Sequence, residues 1–182
     1  MLDVKRRDEA LISEAKNPLL TGLRLERARA SGRFGEDGRF RNPSGLGPSL
    51  QGPPWPVMKD FFFSGAQRRP TRALAVEIPL PVWAKRASTE LRMTWLGHST
   101  VLIDIDGVRV LTDPVFGERV SPVPFAGPKR FHQTPVTLSQ LPPIDAVLLS
   151  HDHFDHLCAT SMKQIAKLGV PVITSLGVGA RL

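Results

Sequence analysis

The chain has 182 residues, 41% of them hydrophobic, and this length and composition suit one globular domain preceded by an extension. No apolar run reaches the roughly 18 residues that a membrane span requires, and the charged N-terminus lacks the apolar core of a signal peptide. The single cysteine, Cys158, excludes an internal disulfide, so the composition favours a cytoplasmic protein.

The net charge of +7 is distributed unevenly along the chain. Residues 1–90 contain 16 Lys and Arg against 10 Asp and Glu, whereas residues 91–182 contain 8 against 7. A basic surplus can attract phosphate-bearing partners such as a membrane surface, although it is more often a solvated basic segment. The aromatic residues are not interleaved with the basic ones in a nucleic-acid-binding pattern, so no nucleic-acid partner is expected.

The sequence pattern predicts two segments, residues 1–88 and residues 89–182. The first contains Pro- and Gly-rich stretches such as NPSGLGPSLQGPPWP and is predicted to be an irregular basic extension. The second opens with LRMTWLG, which predicts a strand. VLIDIDGVRVLTD follows and predicts a β-hairpin that turns at Asp106-Gly107.

The rest of the second segment predicts alternating strand and helix. DAVLLS and VPVITS are short apolar runs typical of strands covered on both faces, and ATSMKQIAKLG between them has helical spacing. Strand, helix and strand in succession imply a right-handed crossover. The predicted fold class is therefore α/β.

The motif SHDHFDH follows directly on the first of these buried strands. Alternate side chains of an extended chain point the same way, so His151 and His153 are predicted to converge on one metal ion. Asp155 and His156 follow at the turn into the helix and can serve a second ion nearby. Asp152 is expected to point away from the first ion, and it is either a catalytic base, a partner that contacts a ligand from outside the metal shell, or a solvent-exposed side chain.

This motif resembles the His-x-His-x-Asp-His signature of the metallo-β-lactamase fold. The neighbouring sequences TWLGHSTVLIDIDGVRVLTDPVF, GPKRF and LPPIDAVLLSHDHFDHL resemble a narrower branch, which contains the N-acylphosphatidylethanolamine-hydrolysing phospholipase D and its bacterial relatives. The resemblance covers residues 90–182 densely and GRFRNP at 38–43 more loosely. It implies the N-terminal half of an αββα sandwich, that is, an α+β sandwich with an N-terminal extension.

The resemblance assigns roles to the residues of the motif. His151 and His153 would bind one zinc ion, and Asp155 and His156 the other. Asp155 and Asp152 are the candidates for catalytic carboxylates. Iron or manganese can occupy similar sites.

Four further residues are candidates with open alternatives. His98 is either site-facing or structural. Asp113 either orients a ligand imidazole from outside the metal shell or is a turn residue before a proline. Lys129 and Arg130 either meet a substrate phosphate or lie in a solvated loop.

Cys158 departs from the family pattern, because related sequences often carry Asp at this position. A small buried residue of the helix is the favoured interpretation over a zinc ligand.

The resemblance implies hydrolysis of a phospholipid or another phosphodiester by a metal-bound hydroxide, with lactonase-type hydrolysis as an alternative. The family's second half supplies a further His, a bridging Asp and a last His, yet residues 159–182 contain no Asp, Glu or His. We therefore expect a truncated chain that is inactive alone and binds fewer than two zinc ions stably, or none.

Two other classes remain open at this stage. One is a split hydrolase completed by a second chain. The other is a non-catalytic metal-binding or lipid-surface module at the membrane periphery.

Overall fold

A computed structural model describes residues 20–45, 53–63, 70–121, 125 and 127–182. The rest of the predicted extension, residues 1–19, 46–52 and 64–69, lies outside the described residues. The described residues fall into two compact units. One comprises those within 1–66 together with Gly179–Arg181, and the other comprises those within 67–178 together with Leu182.

The first unit contains two helices, α1 (Gly22–Ala30) and α2 (Pro54–Phe63), within the segment that was predicted to be irregular. In α1, Arg27 and Arg29 lie in the last turn, where positive charge interacts favourably with the helix dipole. The Ser31 hydroxyl donates to the carbonyl oxygen of Ala28 at 2.6 Å and so satisfies a free carbonyl at the helix end. Local signals of this kind form helices even where Gly and Pro are frequent nearby.

The second unit is built on a five-stranded sheet. Its α-helices and strands are α3 (Leu80–Trp83), β1 (Leu91–Gly97), β2 (Thr100–Ile105), β3 (Val108–Thr112), β4 (Ala146–Leu149), α4 (Ala159–Ile165) and β5 (Val172–Thr174). The strand order is β1-β2-β3-β4-β5; the first three strands are antiparallel neighbours and the last two add in parallel, so the sheet is mixed. Helix α4 connects β4 to β5, as a parallel pair requires.

The predicted hairpin and the predicted α/β fold class are confirmed. Asp106 and Gly107 join β2 to β3 with φ angles of 49° and 78°. Positive φ at both central residues is the condition for the tight turn that matches the twist of the flanking strands. The register that follows pairs Ile105 with Val108.

One face of the sheet carries the core. Leu102, Leu111 and Val147 are cross-strand neighbours on this face, and each is at most 1% exposed. Ile165 of α4 is completely buried and belongs to the same hydrophobic cluster. The remaining buried members are Trp83, Leu96, Val136, Leu138 and Ile144.

The opposite face of the sheet is apolar and exposed among the described residues, although apolar runs such as those of β4 and β5 are typical of strands covered on both faces. Leu148 and Ile173 pair in register and are 44% and 56% exposed, and Trp95 of β1 is 59% exposed. An apolar run indicates that a strand favours burial, but it does not supply the covering layer. The described residues provide that layer on one face alone.

Residues 80–87 pack against the sheet, although sequence reasoning assigned them to the extension. Trp83 is 3% exposed and donates through Nε1 to the Thr94 hydroxyl at 3.0 Å. The buried Arg109 guanidinium donates to the carbonyl oxygens of Trp83 and Lys85 at 2.7 and 3.2 Å, and to the buried Asp104 carboxylate at 3.2 Å. This buried ion pair therefore ties the segment before β1 to the sheet.

Candidate metal centre

The motif loop begins where β4 ends. Ser150 follows the last residue of β4, and residues 151–156 form a tight turn before α4. The backbone N–H groups of His156 and Leu157 both donate to the His153 carbonyl oxygen, at 2.9 and 2.7 Å. This closure folds the loop back on itself and gathers its side chains beyond the carboxyl end of the parallel strands, where α/β sheets commonly place their sites.

Two groups of potential metal ligands share Asp155. In the first group, His151, His153 and Asp155 have ligand atoms within 4.8 Å of one another. In the second group, His98, Asp155 and His156 meet the same condition. Asp155 has two carboxylate oxygens, so it can contribute to both groups.

The imidazole rings of the motif lie close together. The ring centroids of His151 and His153 are 4.6 Å apart, and those of His151 and His156 are 3.9 Å apart. The ring of His98 lies 5.7 Å from that of His156. His98 reaches this cluster from the turn between β1 and β2, which is remote from the motif in sequence.

The turn between β1 and β2 also positions Asp155. His98 Nε2 lies 3.0 Å from Asp155 Oδ2, and the Ser99 hydroxyl donates to the Asp155 carbonyl oxygen at 3.1 Å. Burial opposes ionisation of Asp155, but the hydrogen bond with His98, a backbone hydrogen bond and the neighbouring His156 together outweigh it, so the pKa of this carboxyl lies below its ordinary value. Asp155 is therefore held as a carboxylate, the form that binds metal.

Asp113 lies behind the ligands. Its Oδ2 is 2.9 Å from His156 Nδ1, and its Oδ1 accepts a hydrogen bond from the Ser150 backbone N–H at 2.7 Å. Burial raises the pKa of Asp113, but the hydrogen bonds from Ser150 and His156 lower it more, so the net direction is downward. An anionic carboxylate that contacts a ligand imidazole from behind is the usual outer partner of a metal-bound histidine.

Two of these residues have unusual backbone conformations. His98 has a φ of 50° and Asp113 a φ of 34°, which non-glycine residues seldom adopt. Such conformations persist where surrounding contacts enforce them, and they cluster at functional sites. His98 contacts Asp155 and Asp113 contacts His156, so both unusual conformations occur at residues that position the motif. This placement supports a functional site.

The remaining predicted residues lie outside the two ligand groups. Asp152 is absent from both groups found among the described residues. Lys129 forms an ion pair with Glu118 at 2.5 Å, and the half-buried Arg130 donates to the Val115 carbonyl oxygen at 2.5 Å. Both cations are thus engaged within the loop between β3 and β4.

Cys158 is buried, as predicted, and stands at the N-cap of α4. Its Sγ lies 3.1 Å from the Thr160 hydroxyl oxygen, and it is absent from both ligand groups of the described chain.

Sequence reasoning missed Ser150. Its hydroxyl lies 2.8 Å from Asp113 Oδ2 and 2.9 Å from His151 Nδ1. A serine beside the first ligand of a His-x-His motif is the available signal, but its significance depends on Asp113, which is 37 residues away.

The donor set fits a metal ion. Imidazole nitrogen and carboxylate oxygen suit zinc and other first-row divalent ions, and bonds of about 2.0–2.2 Å require ligand atoms a few ångströms apart. Both groups meet this spacing before any rearrangement.

Comparison with known proteins finds a family that resembles the part of the chain that carries the motif. Residues 108–182 match the family described as the beta-lactamase superfamily domain. Over these residues the chain resembles the metallo-β-lactamase superfamily. Residues 108–182 contain β3, β4, β5 and the whole motif loop, so the similarity applies to the segment that supplies His151, His153, Asp155 and His156.

Three relatives illustrate the range of this similarity. An uncharacterised protein of Mycobacterium tuberculosis is 47% identical over 111 residues, which cover 59% of this chain and 30% of the relative. The N-acyl-phosphatidylethanolamine-hydrolyzing phospholipase D 1 of Caenorhabditis elegans is 52% identical over 75 residues, which cover 41% of this chain and 21% of that protein. A UPF0173 metal-dependent hydrolase of Caldivirga maquilingensis is 35% identical over 65 residues, covering 36% and 23%.

The chain therefore spans less than a third of the length of these three relatives. Among solved structures, the diiron β-hydroxylase CmlA from Streptomyces venezuelae aligns with 50% of this chain and 16% of its own, at 23% identity and a TM-score of 0.32. A TM-score this low supports no argument about the site.

Proposed function

We propose that this chain supplies zinc ligands to a hydrolase that cleaves phosphodiesters in the manner of a phospholipase D. The observation that carries the proposal is the pair of ligand groups that share Asp155. His151 and His153 would hold one ion, and His156 the other, with Asp155 between them. Similarity to a phospholipase D, at 52% identity over 75 residues, supports the choice of a phosphodiester substrate.

Zinc bound here would supply a nucleophile at neutral pH by lowering the pKa of water from 15.7 to about 7. The chain's own residues prepare the site for the ion. His98 and Ser99 fix Asp155 from the turn between β1 and β2, and Asp113 fixes His156 from the end of β3. Asp152, next to the first ligand, remains the candidate for a proton acceptor.

A phospholipid is the proposed substrate, and contact with a membrane surface is part of the proposal. The surplus of six positive charges in residues 1–90 supports attraction to anionic lipid headgroups. None of the helices in the described ranges is both long and apolar enough to cross a membrane. We propose a cytoplasmic protein that reaches lipid from the membrane surface.

The test is metal binding and hydrolysis measured on the same samples. Zinc content would be determined for the wild type, for His151→Ala/His153→Ala and for the control His132→Ala, whose Nδ1 lies 3.0 Å from a neighbouring backbone oxygen. Hydrolysis of a chromogenic phosphodiester would be compared with hydrolysis of a lactone. We expect zinc binding in the wild type and in His132→Ala and its loss in the double variant, and any phosphodiester turnover to be lost together with the zinc.

Three results would contradict this function. Equal zinc content in all three proteins would place the metal elsewhere. Turnover of the lactone alone would favour lactonase-type chemistry. Zinc binding without turnover of either substrate, even on co-expression with a candidate second chain, would favour a non-catalytic metal-binding module, whereas turnover only on co-expression would indicate a split hydrolase.

A further inference from the structure

Ser150 lies at the centre of a hydrogen-bond cluster that reaches a histidine of each ligand group. Its hydroxyl oxygen is 2.8 Å from Asp113 Oδ2 and 2.9 Å from His151 Nδ1. It is also 3.2 Å from His156 Nδ1, which in turn lies 2.9 Å from Asp113 Oδ2. One carboxylate therefore contacts His156 directly and His151 through one hydroxyl group.

The number of available protons determines which group donates and which accepts in each of these hydrogen bonds. An ionised carboxylate only accepts hydrogen bonds, so the Ser150 hydroxyl and His156 Nδ1 donate to Asp113. The Ser150 hydroxyl has a single proton, and once it is donated to Asp113 the oxygen can only accept from His151 Nδ1. The reverse arrangement would leave two oxygen lone pairs facing each other at 2.8 Å without a proton between them.

Both imidazoles consequently carry their proton on Nδ1 and present a free lone pair on Nε2. Metal ions bind the unprotonated ring nitrogen, and the partner of the other nitrogen selects it. His151 belongs to the ligand group with His153, whereas His156 belongs to the group with His98. The same carboxylate thus selects the metal-binding tautomer in both groups.

We propose that Asp113 and Ser150 form one positioning relay that orients a histidine ligand for each of two metal ions and thereby couples the two ligand groups. This proposal rests on one part of the proposed function, namely that the motif binds metal. Neither residue touches the ion or a substrate in this arrangement. Both act through His151 and His156.

The surroundings of Asp113 hold the relay in place. Its backbone N–H donates to the Leu148 carbonyl oxygen at 2.9 Å, and its carbonyl oxygen accepts from the Thr100 hydroxyl at 2.8 Å. These bonds anchor it to β4 and β2 and maintain its left-handed backbone. The Ser150 carbonyl oxygen accepts a hydrogen bond from the Ser175 hydroxyl at 3.0 Å, a contact that lies outside the relay.

The experiment compares Ser150→Ala, Ser150→Thr and Asp113→Asn with the control Ser175→Ala. Ser150→Thr keeps the hydroxyl, and Ser175→Ala removes a nearby hydroxyl that contacts no imidazole in the relay. Long-range ¹H–¹⁵N NMR of the metal-free chain, with its histidines neutral, reports which ring nitrogen carries the proton. Zinc affinity is measured in parallel by competition with a chromophoric chelator, and thermal unfolding confirms that each variant is folded.

We expect Ser150→Ala to lose the Nδ1–H preference at His151, to retain it at His156, and to weaken zinc binding by about 10- to 100-fold. Asp113→Asn should disturb both rings, while Ser150→Thr and Ser175→Ala should match the wild type. An unchanged His151 tautomer and zinc affinity in Ser150→Ala would overturn the relay. So would an effect of Asp113→Asn that is confined to His156.

The tautomer measurement needs neither zinc nor substrate. A chain that shows the relay but hydrolyses nothing would contradict the proposed function alone. A zinc-dependent phosphodiesterase whose tautomers ignore Ser150 and Asp113 would contradict the relay alone.

Discussion

His98 Nε2 lies 3.0 Å from Asp155 Oδ2, although 57 residues separate the two along the chain. The contact links the turn after β1 to the motif loop after β4. It admits two roles for His98, because the same nitrogen can donate to Asp155 or bind the ion that Asp155 binds. The two roles predict different results for a substitution that preserves a donor.

We expect His98→Ala to weaken metal binding by about 10- to 100-fold, since Asp155 loses the partner that orients it. His98→Gln retains an N–H donor and should restore most of the affinity if His98 positions Asp155. A metal ligand would not be replaced by an amide nitrogen, so equal losses in both variants would identify His98 as a ligand. Isothermal titration with zinc measures the difference, and wild-type affinity in His98→Ala would exclude both roles.

The antiparallel part of the fold and the metal-binding motif could be predicted because their signals are local. Alternating apolar residues around Asp106-Gly107 specify a hairpin within a dozen residues. Three histidines and two aspartates after a short apolar strand likewise specify a ligand cluster within one loop. In both cases the residues that determine the structure are neighbours in sequence.

Local signals did not decide the outer partners of the site: Asp113 was a candidate with an open alternative, and Ser150 was not a candidate. Asp113 contacts His156 across 43 residues, and the role of Ser150 depends on that contact. Their side chains alone are equally compatible with turn residues. The buried pair of Asp104 and Arg109 presents the same difficulty, because charged residues in a hairpin are usually exposed. The carbonyl groups of Trp83 and Lys85, which accept from Arg109, lie more than 20 residues away in sequence.

Asp145 is expected to make stability depend on pH. Its carboxylate accepts hydrogen bonds from the Arg86 side chain and from the Arg109 backbone N–H, the latter at 2.7 Å. The bond from Arg86 is the main reason that the pKa of Asp145 lies below its ordinary value of 3.8. A lowered folded-state pKa contributes stability that is present above the unfolded-state pKa and is lost as the pH falls through the folded-state pKa.

Asp145→Asn should therefore be less stable than the wild type at pH 7, and the difference should shrink as the pH falls below about 4. Urea unfolding at several pH values measures it. Arg86→Gln provides the matched partner for a double-mutant cycle, in which the second substitution should cost less than it does alone. A difference that stays constant from pH 7 to pH 3 would mean that another group is responsible.

Gly97 and Gly107 should respond differently to alanine, although both have positive φ angles of 110° and 78°. A Cβ atom at Gly107 would meet nothing within 4 Å, so Gly107→Ala carries only the backbone cost of about 1–2 kcal/mol. At Gly97 the added atom would lie 2.7 Å from Arg130 Nη1 and 2.7 Å from His132 Cε1. Gly97→Ala must also displace these side chains.

Chemical denaturation should therefore rank Gly97→Ala as the more destabilised of the two. Equal free energies of unfolding would show that Arg130 and His132 move away without cost.

Substitutions on the two faces of the sheet should differ in their effect on the free energy of unfolding, measured by chemical denaturation. Leu111 is completely buried, and Leu111→Ala should lower the free energy of unfolding by about 2–5 kcal/mol. Leu148 lies on the adjacent strand but on the open face, and Leu148→Ala should cost no more than about 0.5 kcal/mol. Substitution of Leu148 by Lys should also reduce self-association in sedimentation experiments, because an exposed apolar sheet face favours association.

A large cost for Leu148→Ala would mean that the open face is covered in solution. If that cost increased with protein concentration, a second copy of the chain would be the covering layer.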